Sequence, residues 1–268
     1  MRLGIQAKKL LFIVQIVSIF TFSGHQAWAG QNSEPGAGER KEIMNELRRG
    51  VRAFEKYRMH FDYRFLEFLP PVDIEPRFRA HYLKAKDNWA WVEATAENFD
   101  VLSLCALLQK KEGKWRLEGM VNPQRVVCPS IEECIDIKAY IYRNFSNAFP
   151  SLASGLLPQV DPERKMILTA LSHTITDDLA SDTAYVVKYL KKIGRWVWLE
   201  TEPRSLDGVN QLEPIHALLI SENGRWVIKN LRPSGAECED DPECADDQKY
   251  YRKLRNKFSS VPHDLFPQ

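Results

Sequence analysis

Two short stretches decide the fold: Trp89-Ala90-Trp91-Val92-Glu93-Ala94 and Trp196-Val197-Trp198-Leu199-Glu200-Thr201. Both read as strands, and residues two apart in a strand share a face. Trp89, Trp91 and Glu93 therefore point one way, and Ala90, Val92 and Ala94 the other. The second stretch sets Trp196, Trp198 and Glu200 against Val197, Leu199 and Thr201. The small apolar face suits packing against a helix. The indole face is large enough that something must cover it.

Outward from these strands the likeness continues. Ala106-Leu107-Leu108 matches Ala217-Leu218-Leu219, and Gly113-Lys114-Trp115 matches Gly224-Arg225-Trp226. Cys128 and Cys134 match Cys238 and Cys244, with five residues between partners in each pair. Asp136 and Tyr140 fall on Asp246 and Tyr250, and Phe149 to Pro158 on Phe258 to Pro267. Upstream, Glu39-Arg40-Lys41 and Leu47 match Glu163-Arg164-Lys165 and Leu171. Order-preserving matches of this length point to an internal duplication.

Each copy reads alike. In the second, Ile167, Leu168, Leu171, Ile175 and Leu179 recur at helical spacing, behind Asp161-Pro162 as a start signal. Tyr185–Lys191, Arg195–Thr201, Ile215–Ser221 and Arg225–Asn230 read as strands. Asn223-Gly224 is a hairpin signal, because both residues tolerate positive φ; Lys111-Glu112-Gly113 is the weaker counterpart. The expected class is α+β: two tandem repeats, 39–158 and 159–268. Each would hold an N-terminal helix, a four-stranded antiparallel meander, a disulfide-clipped loop and a C-terminal helix. The first copy carries about 17 extra residues before its tryptophans. They include Phe61, Tyr63, Phe65 and Phe68 and end at Pro70-Pro71. A lengthened first helix is favoured there, with a short strand as the alternative.

The N-terminus has a separate logic. Arg2, Lys8 and Lys9 precede an apolar run from Leu10 to Phe22, and Ala27-Trp28-Ala29 supplies small residues at cleavage positions. Residues 1–29 are expected to be a signal peptide and 30–38 a disordered leader, leaving no membrane span after cleavage. Export places the protein in a periplasmic or secreted compartment, where disulfides persist. Cys128–Cys134 and Cys238–Cys244 are then the expected bonds, with zinc ligation as the weaker alternative. Cys105 sits in the apolar run Val101–Leu108, as a core thiol would.

Composition is ordinary: 44% hydrophobic, 27% charged, with a net charge of +1. That balance argues against a general nucleic-acid binder. His60, His81, His173, His216 and His263 never fall at metal or dyad spacing, and no catalytic motif appears. No metal and no cofactor are expected. The acidic segment Glu237 to Asp247 reads as solvated charge before a helix, with calcium as the alternative. Trp89, Trp91, Glu93, Trp196, Trp198 and Glu200 have two readings. They are core or inter-copy packing, or else an aromatic face edged by carboxylates that holds a peptide or glycan.

The Ala-Leu-Leu strand, the Gly-x-Trp strand, the paired-cysteine loop before a tyrosine-bearing helix and the terminal Phe266-Pro267 look similar to uncharacterised exported bacterial proteins. The element order also resembles NTF2-like and cystatin-like units. These resemblances imply an exported α+β protein and carry over no activity. The expected function is a non-catalytic binding protein of the cell envelope, of inhibitor or immunity type, whose partner is a protein or envelope component. The alternatives are a secreted hydrolase whose site, using His81 or His216, assembles in space, and a structural envelope protein.

Overall fold

Two tight turns, Glu112-Gly113 and Asn223-Gly224, organise the sheets. All four residues have positive φ, 52° and 76° in the first turn and 53° and 76° in the second. That is the two-residue geometry whose twist matches the strands it joins. The computed structural model describes residues 35–56, 76–98, 103–175, 183–232 and 242–267. Residues 1–34, the segment 57–75 with its phenylalanines and proline pair, Leu179 and Cys238 lie outside the described residues.

Within the described residues the chain is α+β, with two four-stranded antiparallel sheets and several helices. The first sheet runs β1 (Phe78–Lys86), β2 (Trp89–Ala96), β3 (Ser103–Lys111), β4 (Lys114–Val121), in that spatial order. Helix α1 (Ala37–Lys56) precedes it, and α2 (Ile131–Cys134) and α3 (Ile137–Ala148) follow. After Pro158 come α4 (Glu163–Ile175) and a second meander: β5 (Thr183–Ile193), β6 (Trp196–Ser205), β7 (Ile215–Glu222), β8 (Arg225–Leu231). Helices α5 (Pro242–Ala245) and α6 (Asp247–Lys257) complete it. No helix among the described residues is long and apolar enough to cross a membrane.

Two boundaries differ from expectation. Helix α1 begins at Ala37, inside the expected leader 30–38; Arg40 N bonds Gly36 O at 2.9 Å, and Glu39 lies in the first turn, where the helix dipole favours an acid. Strand β6 runs on to Ser205 through Pro203. Beyond Thr201 the β7 ladder has ended and the segment 210–212 takes its side, through the Arg204–Gln211 bridge and the Leu212 N to Pro203 O bond at 3.0 Å.

Each sheet lies between two helical layers. The Ala90, Val92, Ala94 face of β2 packs with Leu104, Ala106 and Leu108 under α1, through Ile43, Leu47 and Val51. The opposite face, with Trp89, Trp91 and Leu107, packs under α3 through Ile137, Ile141 and Tyr142. The second half repeats the arrangement with Val197, Leu199, Ala217 and Leu219 under α4. Its Trp196, Trp198, Leu218 and Ile220 lie under α6 and the tail residues Val261, Leu265 and Phe266. The register slips at matching places: β1 carries one extra residue, His81, before Tyr82, and β5 one, Lys188, before Tyr189. Such bulges re-aim the side chains beside them.

The halves join through β5. Its alternate residues serve two cores: Ala184 and Val186 pack in the cluster with Ile137 and Ile141, while Tyr185 and Val187 pack with Ile135 and α4. Backbone bonds close the junction, Tyr185 N to Ile135 O at 3.0 Å and Cys128 N to Leu206 O at 2.7 Å. Gly208 has φ +71°, and a Cβ there would lie 2.8 Å from Val126 O, so only glycine lets this turn approach.

Candidate functional site

The tryptophans seat the candidate site. Both alternations place two indoles and a carboxylate on one side of the sheet, and the C-terminal helix of the same half lies across them. Trp91 and Trp198 are fully buried, and Trp89 and Trp196 nearly so. Trp91 meets Phe145 edge-on at 4.9 Å and Tyr142 at 5.8 Å; Trp198 meets Phe266 at 5.0 Å and Tyr251 at 5.4 Å. Trp89 and Trp196 sit against Phe149 and Phe258 at 5.7 and 5.9 Å. The aromatic cover therefore comes from within each half, joined in the first by Ala184 and Val186 of β5, and no face of Trp91 or Trp198 is open to a ligand in this arrangement.

The two glutamates are nodes within these cores. Glu93 Oε1 accepts bonds from Trp91 Nε1 at 3.2 Å and from the Tyr142 hydroxyl, and Oε2 accepts from Lys138 Nζ at 2.8 Å. Burial would push this carboxyl up, but the Lys138 cation and the three donors hold it below the usual range. Tyr142 is pushed up by burial and by the adjacent carboxylate. Across the ladder, Glu93 faces Cys105, whose buried thiol is also pushed up and stays protonated.

Glu200 has the same first two partners, Trp198 Nε1 at 2.8 Å and the Tyr251 hydroxyl at 3.3 Å. Its remaining surroundings differ. It faces His216 across the ladder, and Gln248 stands at the position matching Lys138. The imidazole lies 3.5 Å from Arg232 Nη1, which also donates to Asp247 Oδ1 at 2.5 Å. Burial and Arg232 lower His216 despite the acids beside it.

Lys138, Tyr142, Tyr251 and Arg232 were not singled out from sequence. Alignment on Tyr140 and Tyr250 hid the tyrosines, because α6 is one residue shorter than α3 and the match shifts after that pair. With the shift, Tyr142 falls on Tyr251, and Tyr82 and Tyr189 donate to the matching carbonyls of Leu156 and Leu265.

Cys128 and Cys134 are bonded, with their Cα atoms 5.7 Å apart. Cys244 is also disulfide-bonded; Cys238, its expected partner, lies outside the described residues. The clip borders a cleft of about 150 Å³ lined by Asp136, Tyr140, Arg143, Asp161 and Lys165, among others. Drug-sized ligands use about 300 Å³ or more. Lys165 and Arg143 are drawn to the end of α2, bonding the Glu132 and Glu133 carbonyls at 2.9 and 3.0 Å.

The two histidines named for a hydrolase lie in different halves. His81 Nε2 is 2.5 Å from Thr95 Oγ1 on an exposed edge, and burial and nearby Lys138, Arg79 and Lys188 lower its pKa. No group of three or more His, Cys, Asp or Glu able to hold a metal occurs among the described residues. Comparison of the chain with protein-family models, curated proteins and solved structures gives no match.

Proposed function

We propose that this chain is a tandem duplication of one α+β unit, exported through its N-terminal segment, and that it acts as a non-catalytic binding protein of the cell envelope. The duplication draws support from the shared strand order, matching bulges and matching tyrosine–carbonyl bonds. A charge-swapped pair adds to it: Lys111–Glu118 at 2.7 Å in one half stands where Glu222–Lys229 at 2.8 Å stands in the other.

One observation carries the binding reading over catalysis. Both oxygens of Glu93 are engaged by donors of its own half, so this buried carboxylate is a brace and not a proton carrier. Its partner would be a protein or envelope component, as an inhibitor or immunity-type protein would have, and it would meet a surface held rigid by two braced cores. The family of exported bacterial proteins suggested by sequence belongs to the same reading.

The test is capture from envelope extract on immobilised oxidised protein, with free protein as competitor. A partner displaced by competitor is expected; material that competitor fails to displace contradicts the reading. The His81–Thr95 pair favours a second reading, a hydrolase using a hydroxyl and a neutral imidazole. Loss of a measured hydrolysis on Thr95→Ala, with the fold retained, would decide for it.

A further inference from the structure

The junction between the halves is built from groups that recur, exposed, at the two free ends. Inside the chain, Arg164 Nη2 donates to Asp136 Oδ1 at 2.9 Å, and the neighbouring Lys165 reaches Glu132 O. Arg164 and Lys165 match Arg40 and Lys41 at the start of α1, and Asp136 matches Asp246 at the start of α6. Arg40, Lys41 and Asp246 are all exposed. The half-to-half joint thus has a donor face at the head of the molecule and an acceptor face at its tail.

The apolar centre of the joint is replaced in step at both ends. Within the chain Ala184 and Val186 are buried in the cluster with Ile137. The matching head residues are Arg77 and Arg79, both exposed, and the tail residue matching Ile137 is Asp247, also exposed. A hydrophobic contact has been replaced by arginines on one end, where Arg79 also pairs with Glu97 at 2.8 Å, and by aspartates on the other, where Asp247 also pairs with Arg232 at 2.5 Å. A cap that served solubility alone would need charge on each end but no opposition of sign.

We propose that copies of this chain associate head to tail, with the Arg40, Lys41, Arg77, Arg79 face of one against the Asp246–Asp247 face of the next. The proposal rests on the duplication above, because the internal joint is its template. The contact is electrostatic and therefore weak and salt-sensitive. It is heterologous, so it forms chains or rings and not a closed two-fold dimer.

The experiment is sedimentation velocity on the full exported chain at low and high salt, with carbodiimide cross-linking of a mixture of isotope-labelled and unlabelled protein. Expected are a weight-average mass that rises with concentration at low salt, its collapse at high salt, and intermolecular links from Lys41 to Asp246 or Asp247. The quadruple variant Arg40→Glu, Lys41→Glu, Arg77→Glu and Arg79→Glu should stay monomeric, with an unchanged melting temperature showing it folded. Asp246→Asn with Asp247→Asn keeps a capping side chain at position 246 and should weaken association several-fold. A monomer at every concentration and salt, association untouched by the quadruple variant, or links confined to other residues would each overturn the proposal. None of these results would remove the duplication, which stands on the matching internal geometry.

Discussion

Glu93 and Glu200 hold equivalent places under equivalent indoles, yet their charges are balanced by different chemistry. In the first half Lys138 closes the node from α3, its Nζ 2.8 Å from Glu93 Oε2. In the second half that position is Gln248, and the groups nearby are His216 and Arg232. One scaffold therefore tolerates two solutions to the same problem, because Trp Nε1 and a tyrosine hydroxyl already supply two hydrogen bonds. What remains is a choice between a lysine that bonds the carboxylate and an imidazole that faces it across the ladder.

The harshest way to break the comparison is to remove the indoles. Trp91→Ala and Trp198→Ala should each cost about 3–5 kcal/mol, the range for large core truncations. Urea unfolding followed by circular dichroism measures both. A loss under about 1 kcal/mol at either site would mean that its helical cover is not packed.

Lys138→Met tests the Lys138–Glu93 pair. Breaking a fully buried pair costs about 3–5 kcal/mol, and the partial exposure of Lys138 reduces the expectation to about 2. Gln248→Lys, the reciprocal change, should leave stability within about 0.5 kcal/mol. The acid limb carries the same information. Glu93 is held below its unfolded value, so its contribution is complete above about pH 4.3 and is lost as pH falls through the folded value. In Lys138→Met that acid-dependent loss should shrink, as measured by unfolding at a series of pH values.

His216 sharpens the contrast at milder pH. Its folded value is lowered, so the unfolded chain takes up the proton first. The associated stability is complete above about pH 6.5 and is lost as pH falls toward the folded value. His216→Gln should flatten the stability profile across that window. His81→Gln, on an exposed edge, should flatten it less. Equal slopes for wild type and His216→Gln would remove the titratable member of the pair.

The smallest effect concerns the swapped surface pairs. Lys111→Glu alone should cost up to about 1 kcal/mol, and adding Glu118→Lys should restore most of it. Failure of the second change to rescue the first would mean that the polarity of this hairpin is set by something other than its partner.

Much of this architecture could be read in the residues. The alternation at the two tryptophan strands, the Asn223-Gly224 turn and the apolar spacing of Ile167, Leu168 and Leu171 each found their element. These signals are local, so periodicity and turn chemistry suffice for them. The cover over the indoles could not be read so directly. It depends on a helix whose tyrosine stands 49 residues after Glu93 in one half and 51 after Glu200 in the other, and a one-residue shortening of α6 hides Tyr251 from its counterpart Tyr142. The joint was harder still. Ala184 and Val186 look like any alternating strand residues, and only three-dimensional packing reveals that two cores share β5. Arg204, almost fully buried and donating to Gln124 O at 2.8 Å across that joint, carried no sequence signal, because an arginine near a proline reads as a surface residue.

Peptide mapping of the unreduced protein, purified from the cell envelope, bears most directly on two units each closed by a clip of its own. Cys128 should be found with Cys134 and Cys238 with Cys244, leaving Cys105 as a thiol that alkylates only after unfolding. A bond between a cysteine of the first pair and one of the second, or four reduced cysteines in the exported protein, would contradict it.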